Sequence, residues 1–150
     1  MSMFSSFNIN ASGLTAQRYR MDVISENVAN ANTTRTEDGT PYHRKVVTFA
    51  QKGAQTPFGR VLGNISSSAY SGQGVKVTSV FEDHETPMTM VYDPSHPDAD
   101  ENGYVTGPNV NIITEMTDLI DASRAYQANS TAFNASKSIV MQGLQLAQNS

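Results

Sequence analysis

The 150 residues include no cysteine, so the chain has neither a disulfide framework nor thiolate chemistry open to it. Charge is scarce as well. Asp, Glu, Lys and Arg make up 16% and hydrophobic residues 38%, both below the usual share for a globular domain, and Ser, Thr, Asn, Gln and Gly fill the difference. A formal net charge of −4 excludes the phosphate-driven nucleic-acid binding that a basic surface supports. No apolar run reaches the length that spans a bilayer. The opening Met1-Ser2-Met3-Phe4-Ser5-Ser6-Phe7 has no basic segment and no apolar stretch, so no cleaved Sec signal peptide is expected. The length fits about one domain.

Reactive constellations are also missing. Of the three histidines, His43, His84 and His96, the first two have no partner at metal-ligand spacing and are read as exposed polar residues. No Gly-rich phosphate loop follows a strand, and no serine among the polar runs is marked as a nucleophile. Asp98-Ala99-Asp100-Glu101-Asn102-Gly103 copies the first half of a calcium loop. Its twelfth position is Asn109 rather than a bidentate Glu, and Pro97 precedes it. A turn explains the same letters, with a calcium-dependent module as the alternative. Neither end carries the Lys/Arg-rich face that binds anionic lipid. No active site and no cofactor are expected.

What the chain does have is seven-residue spacing at both ends. Ile112, Leu119, Tyr126, Phe133, Val140 and Ala147 form an unbroken apolar line. Of the companion positions Met116 and Leu144 are apolar, while Ser123, Ser130 and Lys137 are not. Residues 109–150 therefore read as a helical segment with half a seam, its helix about 55 Å long from the N-cap Asn111 and with Glu115, Asp118 and Asp121 early in it. Near the start, Phe7, Leu14, Met21 and Val28 repeat the spacing. Ile24 and Ala31 fill some companion positions, and Asn10 and Gln17 interrupt the row. Residues 4–32 thus read as a helix of about 40 Å, closed by Asn30 and Asn32. A seven-residue stripe is buried only when another helix lies along it. Both helices are marginal alone, so they are expected to pair as a coiled coil and to be completed by further helices.

Between them the pattern changes. Glu37-Asp38-Gly39-Thr40-Pro41 is a turn, residues 42–49 alternate as a short strand or arm, and residues 50–74 read as a Gly/Ser/Gln-rich loop at risk of disorder. Val75, Val77 and Phe81 mark a half-buried strand, residues 88–92 a second, and the Pro-rich stretch to Pro108 breaks regular structure. Six basic residues and two acids occupy 35–76, while 82–121 holds ten acids and no Lys or Arg. Ordinary solvated loops give such a division, and so do copies stacked with a basic part against an acidic one. The layout is mainly α with a small β-rich insert: residues 1–33, 34–108 and 109–150.

The chain resembles the bacterial flagellar axial proteins. Residues Phe7-Asn8-Ile9-Asn10-Ala11-Ser12-Gly13-Leu14 and Ser25-Glu26-Asn27-Val28-Ala29-Asn30 look like their opening, and Ser123-Arg124-Ala125-Tyr126-Gln127-Ala128-Asn129 like their C-terminal motif. Tyr92-Asp93-Pro94-Ser95-His96-Pro97 with Pro108-Asn109-Val110-Asn111 resembles the proximal-rod members of the basal-body rod proteins. One departure is the linker Thr34-Arg35-Thr36-Glu37-Asp38-Gly39, where relatives often pass more directly to a Gly-x-Pro turn. The resemblance implies a non-enzymatic subunit, exported by the flagellar type III apparatus into the periplasm. It implies helical polymerisation that carries torque, with other copies, other rod subunits and the rotor and export-gate base as partners. Another rod or hook-type axial subunit is the alternative within the class. The expected assembly interface is Phe7, Leu14, Met21, Val28, Ile112, Leu119, Tyr126, Phe133 and Val140.

Overall fold

A computed structural model describes residues 3–52 and 74–148. The sequence-expected loop at 50–74 falls mostly at 53–73, outside the described residues; Ala50 and Gln51 belong to a strand. In chain order the elements are α1 (Met3–Ala29), β1 (Lys45–Gln51), β2 (Val75–Glu82), β3 (Thr89–Tyr92), β4 (Tyr104–Gly107) and α2 (Ile112–Gln148). The described chain is mostly helical with a small β insert. None of its described helices is long and apolar enough to cross a membrane.

The helix ends follow from local hydrogen bonding. Asn111 caps α2, its Oδ1 accepting from the N–H groups of Ile113 and Thr114. At the other end of α1, Asn30 turns its side-chain amide onto the Glu26 carbonyl, and the next bonds tighten to Ala31 N–H onto Val28 and Thr33 N–H onto Asn30. The helix therefore stops at Ala29, earlier than the expected residue 32, because a short amide side chain competes for the backbone groups.

Two two-stranded sheets make up the insert. Asp83 N–H bonds the Arg44 carbonyl, Thr48 bonds Ser79, and Lys52 N–H bonds the Gly74 carbonyl. That descending register makes β1 and β2 antiparallel. Strand β1 begins at Lys45 rather than residue 42 because Tyr42 and Arg44 are drawn into other contacts. Strands β3 and β4 pair antiparallel with Thr89 opposite Gly107 and Tyr92 opposite Tyr104. The sequence reading did not anticipate β4. The breakers it saw form the loop of a hairpin instead: Gly103 takes φ +81°, its N–H bonds Asp100, and its carbonyl accepts from Asp93.

The described residues form two compact units. One comprises 3–18, 49–52, 74–78 and 123–148; the other comprises 19–48 and 79–122. In the first, Ala16 is buried, and Phe7 meets Phe133 edge-on with ring centroids 5.1 Å apart. Gly74 sits at φ +87°, where a methyl group would lie 2.1 Å from the Ser12 hydroxyl and 3.3 Å from the Ile9 backbone. That hydroxyl accepts from Val75 N–H at 3.0 Å and donates to the Ile9 carbonyl at 2.7 Å, fixing the start of β2 on α1. In the second unit the buried apolar residues are Val23, Ile24, Tyr42, Val105 and Ala122.

Candidate functional site

A buried polar network lies in the second unit. Asn27, 1% exposed, uses every position of its amide. Its Nδ2 donates to the Lys45 carbonyl and to Glu115 Oε2, each at 2.9 Å, and its Oδ1 accepts from the Tyr42 hydroxyl and from Lys45 N–H, each at 2.9 Å. Glu115 is equally buried, and its other oxygen accepts from Arg44 Nε at 2.6 Å. Arg44 also reaches Asp118 at 3.6 Å, which in turn holds Arg20 at 3.1 Å. Asn109 completes the network: Arg44 N–H donates to its Oδ1, and its Nδ2 donates to the carbonyls of Asp83 and Thr86.

Three segments distant in sequence are thereby joined through side chains: α1, the approach to β1, and the start of α2. A buried carboxylate is tolerable only when it is paired and its lone pairs are filled, which Arg44 and Asn27 accomplish for Glu115. Burial first, then the carboxylates of Glu26, Glu82 and Glu115, push the Tyr42 phenol from 10.0 up to about 12. Asp83 lies below the usual carboxylate range because the Thr86 hydroxyl and N–H donate to it, with further help from the Glu85 N–H and Arg44. The arrangement locks geometry and offers no reacting group.

This placement differs from the sequence reading at several points. Glu115 lies in the first turn of α2 as expected, and it and Asp118 are in addition partners of Arg44 and Arg20. Part of the charge asymmetry between 35–76 and 82–121 is met inside the chain, since Arg35 faces Asp98 and Arg44 faces Asp83 and Glu115. His43 is half-buried rather than exposed and packs edge-on against His84, ring centroids 4.4 Å apart, because the pairing of β1 with β2 brings Arg44 opposite Asp83 beside them. Asp98 is engaged by Thr34 and Arg35, while Asp100 accepts from Asn102 N–H and Tyr104 N–H within its turn. Among the described residues no three of His, Cys, Asp and Glu gather to hold a metal.

The expected interface residues occupy flanking positions. Phe7, Leu14, Met21 and Val28 on α1, and Leu119, Tyr126, Phe133 and Val140 on α2, are half-buried, whereas Ile112 is 42% exposed. The most buried stripe of α1 lies about one residue round, at Gly13, Ala16, Val23, Ile24 and Asn27. On α2 the row accompanying Tyr126 and Phe133 is Glu115, Ala122, Asn129 and Ser136, again seven apart. Small residues let helix backbones approach: a methyl group on Gly13 would lie 2.8 Å from Asn129 Oδ1. Apolar spacing alone misses such a row because its members are polar or small. The usable signal is the seven-residue recurrence itself.

Comparison with known proteins sets this geometry in a family context. Residues 7–35 match the family described as "Flagella basal body rod protein", and residues 101–146 match "Flagellar basal body rod FlgEFG protein C-terminal". The chain is 47% identical to the flagellar basal-body rod protein FlgC of Borreliella burgdorferi, over 99% of both chains. It is 44% identical to FlgC of Bacillus subtilis and 40% identical to FlgC of Salmonella typhimurium, in each case over 99% of this chain and 100% of the relative.

Proposed function

We propose that this chain, which belongs to the FlgC family of flagellar basal-body rod proteins, carries torque through long helices that pair as a coiled coil and are completed by neighbours in a helical polymer. The chain is a structural subunit of the bacterial flagellar basal body, located in the rod, and not an enzyme. The observation that carries the mechanical reading is the exposure of large apolar side chains along α2. Ile113 is 79% exposed and Ile139 70%, with Ile120, Met141 and Leu144 each at least half exposed. A soluble monomer gains nothing from such a surface, whereas a tube of neighbours buries it at about 25 cal/mol per Å².

In this reading residues 1–33 and 109–150 are the assembling arms and 34–108 the insert that braces them. Phe7, Leu14, Met21, Val28, Ile112, Leu119, Tyr126, Phe133 and Val140 form the contact faces. Partners are other copies, other rod subunits and the rotor and export-gate base, reached after export by the flagellar type III apparatus. Leu119→Asp and the more exposed Ile113→Asp test it. Both are expected to abolish swimming and the subunit's recovery in isolated basal bodies, with export retained. Normal motility in both variants refutes the packing role.

A further inference from the structure

All fourteen acidic residues of the chain fall in 19–48 and 79–122, the extent of the second unit, whereas 1–18, 49–78 and 123–150 carry six basic residues and no acid. The second unit satisfies its own cations: Arg20 pairs with Asp118, Arg35 with Asp98, Arg44 with Glu115 and Lys45 with Glu26. Among the described residues of the first unit, Arg18, Lys52, Lys76, Arg124 and Lys137 are exposed and none makes an ion pair. Near the end of α2, Lys137 shares a helix face with exposed Met141 and Leu144.

The acidic unit carries a matching feature. An open groove of about 730 Å³ is walled largely by Pro87, Val91, Val105, Pro108, Ile112 and Ile113. No Lys or Arg lines it, Asp93 and His96 do, and exposed Glu85 adjoins its Thr86 wall. An apolar helix end that carries only positive charge complements an apolar trough whose formal charge is negative.

We propose that this groove receives the acid-free end of α2 from a second copy of the chain. The contact joins two different surfaces, so repetition need not close and can extend as a helical stack. Opposite charge steers the approach and sets the polarity of stacking, while burial of Met141 and Leu144 holds the contact. The inference rests on the reading of the chain as an assembling rod subunit and adds which surfaces meet.

The absence of native cysteine makes a direct test possible. Basal bodies isolated from cells producing the chain with both Val91→Cys and Met141→Cys are treated with a thiol oxidant. Disulfide-linked copies are expected from that chain and from neither single variant. Subunits recovered in basal bodies without any linkage overturn the inference and leave the rod reading standing, as does linkage to a different polypeptide. Absence of the unmodified chain from basal bodies overturns both. Charge exchange gives a second route should the paired cysteines hinder assembly. Lys137→Glu and Glu85→Lys are each expected to lower incorporation about tenfold or more, and one chain carrying both is expected to recover most of it. No recovery in that chain overturns the second-copy assignment.

Discussion

Asn27 is the residue whose loss the fold should feel most. Its amide makes four hydrogen bonds to three residues, so truncation strands Glu115 and the Tyr42 hydroxyl in a buried setting. Leaving buried groups unpaired is costly. Asn27→Ala is expected to destabilise the monomer by about 3 kcal/mol in urea unfolding, and a loss below about 1 kcal/mol would contradict the network. Tyr42 adds a pH signature. Its phenol is raised from 10.0 to about 12 in the folded chain, so the protonated form is favoured by folding. The stability it contributes is complete below pH 10 and disappears as pH rises through about 12. Over that alkaline window, Tyr42→Phe is expected to flatten the fall in melting temperature, and an unchanged slope would count against burial of this phenol. The network was only partly legible in sequence. Asn27 and Glu115 lie 88 positions apart, and nothing local marks either as the other's partner.

At the scale of elements, the docking of β2 on α1 depends on Gly74 and Ser12. Gly74→Ala meets both a left-handed backbone and a hydroxyl 2.1 Å away. The conformation alone costs about 1–2 kcal/mol. A loss of at least that size in thermal unfolding is expected. Ser12→Ala, which leaves Val75 N–H without its acceptor, is expected to cost about 1 kcal/mol. The edge-on Phe7 and Phe133 rings call for a double-mutant cycle: replacing each by Leu, singly and together, should return a coupling of about 0.5–1.5 kcal/mol. A coupling near zero would mean that the two rings do not meet in solution. Helix existence, the Asn111 cap and strand β2 were readable because each depends on neighbours in sequence. Strand β4 was not, since its four residues acquire their identity from β3 and the intervening Gly and Pro mimic a chain without regular structure.

For the whole molecule, exposure is the telling property. The described residues bury few apolar side chains, and several large ones stand open to water along α2. Such a chain is expected to gain its full stability only among neighbours. If charge sets how copies meet, association should weaken as salt shortens the reach of exposed charges to about 8 Å at physiological ionic strength and about 3 Å at 1 M. Purified chain followed by sedimentation from low to high salt is expected to dissociate progressively. Association that strengthens with salt would indicate apolar contact without charge steering.

The sequence by itself determined the two long helices, their seven-residue pattern, the β character of the insert and the family, because periodicity and motif are properties of residues near one another. Tertiary structure alone decided which side of each helix is buried. Helix backbones approach most closely where side chains are small or can satisfy one another, so Gly13, Ala122 and the Asn27–Glu115 pair took the inner face beside Val23 and Ile24, and the expected seam residues were left at its flanks.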